Sequence, residues 1–140
     1  MHLGGWRLKR KYVLDAGILA LYFAGHREAK KYINEIYMGK AEAYMCEINI
    51  AEFLYNYAKI LGWDSAKVKH NLIRSSPITI ISPSEDLTLK AAKTKLKHIK
   101  TLSLADSYLI ALANQLKATI ITTDHNIEEA NEAPTILITI

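Results

Sequence analysis

The sequence predicts an α/β chain: three layers, α/β/α, around a central, mostly parallel sheet of about five strands. Two observations carry this. Short β-branched runs alternate with helical stretches along the chain. The runs are apolar throughout rather than every second residue, as expected of strands covered on both faces.

Lys11–Asp15 ("KYVLD") reads as the first strand. Ile18–Ala24 continues as a short helix, and Glu28–Met38 as another that stops at Gly39. Ala43–Cys46 is a short second strand. Asn49–Leu61 ("NIAEFLYNYAKIL") has helical periodicity and stops at Gly62, and Asp64 is expected to cap a helix over Asp64–Arg74. Ile78–Ile81, bounded by Pro77 and Pro83, is the third strand. Ser84 opens a long helix through about Lys100, with Leu89, Ala92, Leu96 and Ile99 sharing its apolar face. Ser103 is the expected N-cap of a helix through Gln115. Thr119–Thr123 ("TIITT") and Thr135–Ile140 ("TILITI") are the fourth and fifth strands. With no repeat, linker or low-complexity tract, a single domain spanning 1–140 is expected.

Half of the 140 residues are apolar, so a core can form and an ordered chain is expected. The single cysteine, Cys46, rules out a disulfide framework within the chain and any site built on several cysteines. It fits a reducing, cytoplasmic setting. "RLKRKYVLDAGILALYFAG" superficially resembles a secretory signal, but Asp15 interrupts its apolar run, and no membrane partner is expected.

The stretch "SLADSYLIALANQ" poses the central problem. It is among the most apolar in the chain, yet it holds one charge, Asp106. A lone buried carboxylate costs several kcal/mol. Three other acids stand in comparable places. Asp15 ends the first strand, Glu52 falls in the first turn of the helix that starts near Asn49, and Asp124 ends the fourth strand. In a parallel sheet the carboxyl ends of strands and the starts of the following helices share one edge, where ligands bind. The four acids should therefore meet at one crevice.

Each acid also has a purely structural explanation. Asp15 can cap the helix after it, and Asp124 in "TTDHN" can form an Asx turn. Glu52 lies three residues after Asn49 and Asp106 three after Ser103, the spacing of a capping box. Taken together the balance shifts. Four carboxylates on one edge repel one another and raise each other's pKa. Caps alone need only Ser, Thr or Asn. A hard divalent cation, Mg²⁺ or Mn²⁺, removes the difficulty. Gly-rich phosphate loops and nucleophile triads are absent, which leaves metal-assisted displacement at a phosphodiester.

At these residues the sequence resembles the PIN-domain family, in particular the short ribonucleases of the VapC toxin type. "YVLDAGILALY" resembles the opening strand with its first Asp, and "NIAEF" the N-x-x-E segment. "LSLADSYLIALA" resembles the third motif and "IITTDHNI" the T-x-D ending. The resemblance runs from about Lys11 to Ile140. It implies a PIN-like fold and Mg²⁺- or Mn²⁺-dependent cleavage of RNA. It implies metal-site roles for Asp15, Glu52, Asp106 and Asp124, and Thr122 as the hydroxyl of T-x-D. It further implies homodimers and, for the toxin type, a cognate antitoxin. A housekeeping RNA-maturation nuclease and a catalytically weak binding domain are the alternatives.

Two departures stand out. The family usually carries Thr or Ser after the first Asp and often Ser next, where this chain has Ala16-Gly17. It often carries Gly before the last Asp, where this chain has Thr123. Asn126 stands where some relatives have another acid. A phospho-acceptor receiver domain would need an acidic pair after strand one and a Lys after the last strand, and neither is present.

With the four acids set aside, ten remaining acids face eighteen Lys and Arg. Candidate phosphate contacts are the stripe Lys90, Lys93, Lys97 and Lys100, and the run Arg7, Lys9, Arg10 and Lys11. An ordinary solvated face is the expected reading of the stripe. Tyr44, Tyr55, Tyr57 and Trp63 could stack on bases, but core or dimer packing is favoured. His125 could touch the phosphate or lie in a turn, and Phe53, Leu54, Tyr57 and Ile60 could form a dimer or antitoxin surface or belong to the core.

Overall fold

The computed structural model describes residues 9–140, so Arg7 of the basic run lies outside the described residues. Strands β1 (Arg10–Leu14), β2 (Ala41–Cys46), β3 (Thr79–Ile81), β4 (Thr119–Thr122) and β5 (Thr135–Leu137) form one sheet. Its order is β3-β2-β1-β4-β5 and every pairing is parallel. Helices α1 (Ala16–Phe23), α2 (Arg27–Tyr37), α3 (Glu47–Leu61) and α4 (Trp63–Arg74) belong to the first half. Helices α5 (Glu85–Lys97), α6 (Leu104–Leu116) and α7 (His125–Ala130) belong to the second.

The apolar strands divide their side chains between two cores. Tyr12 and Leu14 of β1 pack on one face with Met45, Ile50, Phe53 and Ile121. Val13 packs on the other with Leu109, Leu112, Ile120 and Ile127. Both cores are needed to bury Tyr12, Val13 and Leu14 of β1, because side chains alternate along it.

From β1 the chain winds outward to β2 and β3, then returns through α5 and α6 to lay β4 on the free side of β1. The order reverses between β1 and β4, and there the register pairs Leu14 with Ile121. The ladder runs one step further, where the Asp15 amide donates to the Ile121 carbonyl at 3.0 Å. A crevice at the carboxyl end of the sheet is expected at such a switch point.

Several boundaries differ from expectation. Helix α3 starts at Glu47 rather than near Asn49, after Cys46, which makes no side-chain cap bond. Glu52 therefore lies beyond the first turn, outside the range in which a helix N-terminus strongly favours an acid. Gly62, not Asp64, precedes α4, and Asp64 sits in its first turn. Strand β5 stops at Leu137, and α7 was not anticipated as a helix.

The expected apolar face of α5 is the largest correction. Leu89, Leu96 and Ile99 are 61%, 72% and 59% exposed. The buried residues are Leu87 and Ala91, which pack on α6. The lysine stripe is a solvated face, as expected: Lys90 pairs with Asp86 and Lys97 with Glu132, each at 2.8 Å. Among the aromatics, Tyr57 packs on Phe53 and Phe23, while Tyr55 and Trp63 are exposed.

Candidate active site

Asp15, Glu52, Asp106 and Asp124 line one open depression of about 550 Å³ at the carboxyl end of the sheet, together with Ala16, Gly17, Asn56, Thr123, His125 and Asn126. The structure thus brings all four acids together from distant parts of the chain. Thr122 stands beneath them, fully buried.

Each acid is positioned by its local fold. Asp15 is the N-cap of α1, accepting from the Ala16 amide at 2.8 Å through Oδ1. Its Oδ2 accepts the Thr122 hydroxyl at 2.6 Å. The same Thr122 oxygen accepts from the Asp124 amide at 3.0 Å, tying the ends of β1 and β4 together. Asp124 caps α7, its Oδ1 accepting from the Asn126 amide at 2.8 Å. Asp106 forms a capping box with Ser103: its Oδ2 accepts from the Ser103 amide at 2.9 Å, and its amide donates to the Ser103 hydroxyl at 3.0 Å. The structural roles expected of Asp15, Asp106 and Asp124 are therefore real. In Asp106 and Asp124 those bonds engage only one carboxylate oxygen.

Glu52 differs, since the later α3 boundary removes its capping role. It reaches the depression from the side of α3, half-buried. Asn49, one turn earlier and fully buried, donates its side-chain amide to the Ala105 carbonyl at 3.2 Å. This bond fixes α3 against the start of α6, so Glu52 and Asp106 share one frame.

The electrostatics follow from burial and crowding. Asp15, 7% exposed, is raised to about 6, mainly by loss of water and also by the charges of Asp106 and Asp124. Thr122 and the Ala16 amide oppose that rise. Glu52 is raised to about 7 by burial and then by Asp15, Asp106 and Asp124, while Asn49 draws it down. Burial raises Asp106 as well, against its bonds to Ser103. Among the described residues, no three or more His, Cys, Asp or Glu form a group that could hold a metal ion by themselves. The acids line a basin rather than converging on a point.

The family model described as PIN domain matches residues 12–133. The chain belongs to the PIN domain family. Solved structures share this PIN fold at low identity. VapBC2 from Rickettsia felis, bound to a DNA fragment from their promoter, superposes with a TM-score of 0.72 at 16% identity, covering 90% of this chain and 97% of that one. Mycobacterium tuberculosis VapC20, a sarcin-ricin loop cleaving toxin, gives 0.71 at 17%, covering 85% and 94%. DNA-bound VapBC from Salmonella typhimurium gives 0.73 at 11%, covering 91% and 97%. No match is found among curated proteins.

Sequence reasoning did not find the roles of Asn56, Gly17 and Thr123 in the wall of this PIN domain's depression. Asn56 lies four residues after Glu52, on the same face of α3, a spacing that could have found it. The Gly17–Thr123 approach had no such signal. His125 and Asn126 are both at the rim and exposed.

Proposed function

We propose that this PIN domain is a Mg²⁺- or Mn²⁺-dependent endoribonuclease acting through Asp15, Glu52, Asp106 and Asp124, and that it is the toxin of a VapBC-type pair. One observation carries the reading: four acids from separate elements line one depression at the switch point, and burial together with neighbouring acids raises Asp15, Glu52 and Asp106. Among the described residues no Lys or Arg lines that depression, and His125 is its one basic side chain. Hard oxygen donors of this kind fit Mg²⁺ or Mn²⁺. The open arrangement fits too, because Mg²⁺ commonly takes one or two carboxylates and keeps water and substrate phosphate as its other ligands.

A bound divalent ion supplies an activated water and neutralises charge at the phosphate. The chain's residues supply position. Thr122 holds Asp15 and the Asp124 amide in one arrangement. Ser103 holds one oxygen of Asp106 and leaves the other available. Asn49 keeps α3 and α6 in register.

The toxin role is supported by the likeness in fold to proteins solved as toxin–antitoxin complexes. It is also supported by an apolar groove of about 290 Å³ that shares Ala16, Gly17 and Asn56 with the acidic depression. Phe23, Phe53, Tyr57, Ile60 and Leu61 form the rest of its main wall, where an antitoxin segment would lie beside the acids. Homodimerisation, a cytoplasmic location and a single domain over 1–140 belong to the same proposal. No helix among the described residues is long and apolar enough to cross a membrane.

The test is end-mapped cleavage of a long, mixed RNA pool with Mn²⁺ or Mg²⁺, with EDTA and Asp106→Asn as controls. Cuts that disappear in both controls are expected. Asn at this position can still accept from the Ser103 amide, so the fold survives while cleavage falls roughly a hundredfold or more. Cleavage retained by folded Asp106→Asn protein would sink the role given to that residue.

A further inference from the structure

Gly17 and Thr123 meet in the wall of the acidic depression. A Cβ added at Gly17 would stand 3.1 Å from the Thr123 hydroxyl oxygen, closer than ordinary van der Waals contact. Gly17 is the second residue of α1, where its backbone is helical and needs no glycine. Its lack of a side chain therefore leaves room for the Thr123 hydroxyl. A side chain on α1 at position 17 and the Thr123 hydroxyl at the end of β4 would crowd each other there.

The two adjacent threonines use their hydroxyls differently. Thr122 is fully buried and bonded on both sides, to Asp15 and to the Asp124 amide. Thr123 is half-buried, and among the described residues its hydroxyl has no hydrogen-bond partner. It stands among acceptors, yet it keeps a proton to donate. A phosphodiester entering a basin of carboxylates needs such donors at its anionic oxygens.

We propose that the Thr123 hydroxyl binds a non-bridging phosphate oxygen of the RNA, in the place a side chain at position 17 would otherwise occupy. The proposal rests on reading the depression as a phosphodiester site. Gly17 and Thr123 are then one functional unit. Changing Gly17 alone crowds the hydroxyl, and changing Thr123 alone vacates the place. Changing both in opposite senses returns a hydroxyl to it from α1.

The experiment uses the full chain and two readouts. The first is binding of a fluorescein-labelled, mixed-sequence single-stranded RNA to protein in the Asp106→Asn background, where the RNA stays intact. The second is single-turnover cleavage with Asp106 present. Thr123→Val, which keeps the shape, is expected to weaken binding about tenfold or more, the scale of one hydrogen bond to a charged group. Thr123→Ser should stay within about threefold of the parent, and Gly17→Ser alone should impair binding. The double change Gly17→Ser with Thr123→Gly should recover most of the loss, which a packing role for Thr123 would not produce. Parental binding in folded Thr123→Val would overturn the contact and leave the nuclease reading standing. Hydroxyl-dependent binding by a chain that shows no metal-dependent cleavage would do the reverse.

Discussion

The Thr122 hydroxyl and the Asp15 carboxylate meet at 2.6 Å across 107 positions of sequence. The bond is buried at both ends and joins the termini of the two strands at the switch point. It gives Asp15 a donor in a place where water has been removed.

Replacing Thr122 with Val keeps the shape and removes that donor. A buried acid left short of a partner costs about 2–3 kcal/mol. The midpoint of thermal unfolding should fall by roughly 5–10 °C for a chain of this size. Asp15 should titrate even higher than in the parent. An unchanged midpoint would show that the bond does not stabilise the fold.

Without metal, the acids make stability depend on pH with a defined sign. Asp15 and Glu52 bind protons up to about pH 6 and 7 in the folded chain. Unfolded, they release them near pH ~4. The folded state therefore holds more protons between about pH 4 and 7, and stability falls as pH rises through that window. Thermal scans of metal-free protein across the window should show the decline, and added Mn²⁺ should flatten it. A profile that rises towards neutral pH would contradict the crowding.

Glu52→Gln removes a charge that burial disfavours first and the neighbouring acids disfavour further. At neutral pH, without metal, the variant should be more stable than the parent by about 1 kcal/mol, allowing for partial exposure. The same variant should gain less from Mn²⁺. Chemical denaturation with and without the ion reads both effects, and a less stable metal-free variant would count against the idea.

Asn49→Ala cuts the link from α3 to the Ala105 carbonyl and removes the group that draws Glu52 down. The expected loss is about 1 kcal/mol, the net scale of one side-chain hydrogen bond, since the Ala105 carbonyl keeps its place in the helical ladder of α6. Hydrogen exchange should quicken at the start of α6 while β1 stays protected. Unaltered exchange there would place the tether elsewhere.

Much of this was readable from the chain. The strands were legible because a sheet covered on both faces needs apolar runs, and "YVL" and "TII" have no other use. The acids were legible through topology: once Asp15 and Asp124 are placed at strand ends, a parallel sheet gives them one edge. The start of α3 was hidden because Cys46 caps it without a side-chain bond, so the sequence carries no signal there. The α5 face was misread because the larger residues, Leu89, Leu96 and Ile99, face outward while small Ala91 fits against α6. Periodicity reports that a helix has a face, not which neighbour covers it. The approach of Thr123 to Gly17 is tertiary, and each residue alone reads only as a departure from its family.

The strand order also governs when the depression can exist during synthesis. Strand β1 is made early, yet its neighbour β4 follows β2 and β3 and begins only at Thr119. A nascent chain that has folded only its first three strands holds Asp15 and Glu52 at an open sheet edge, without Thr122, Asp106 or Asp124. Whatever chemistry the completed basin performs, a ribosome must release residue 124 before it can begin. Translation itself therefore works as a timer, since the basin closes only after most of the polypeptide has been made.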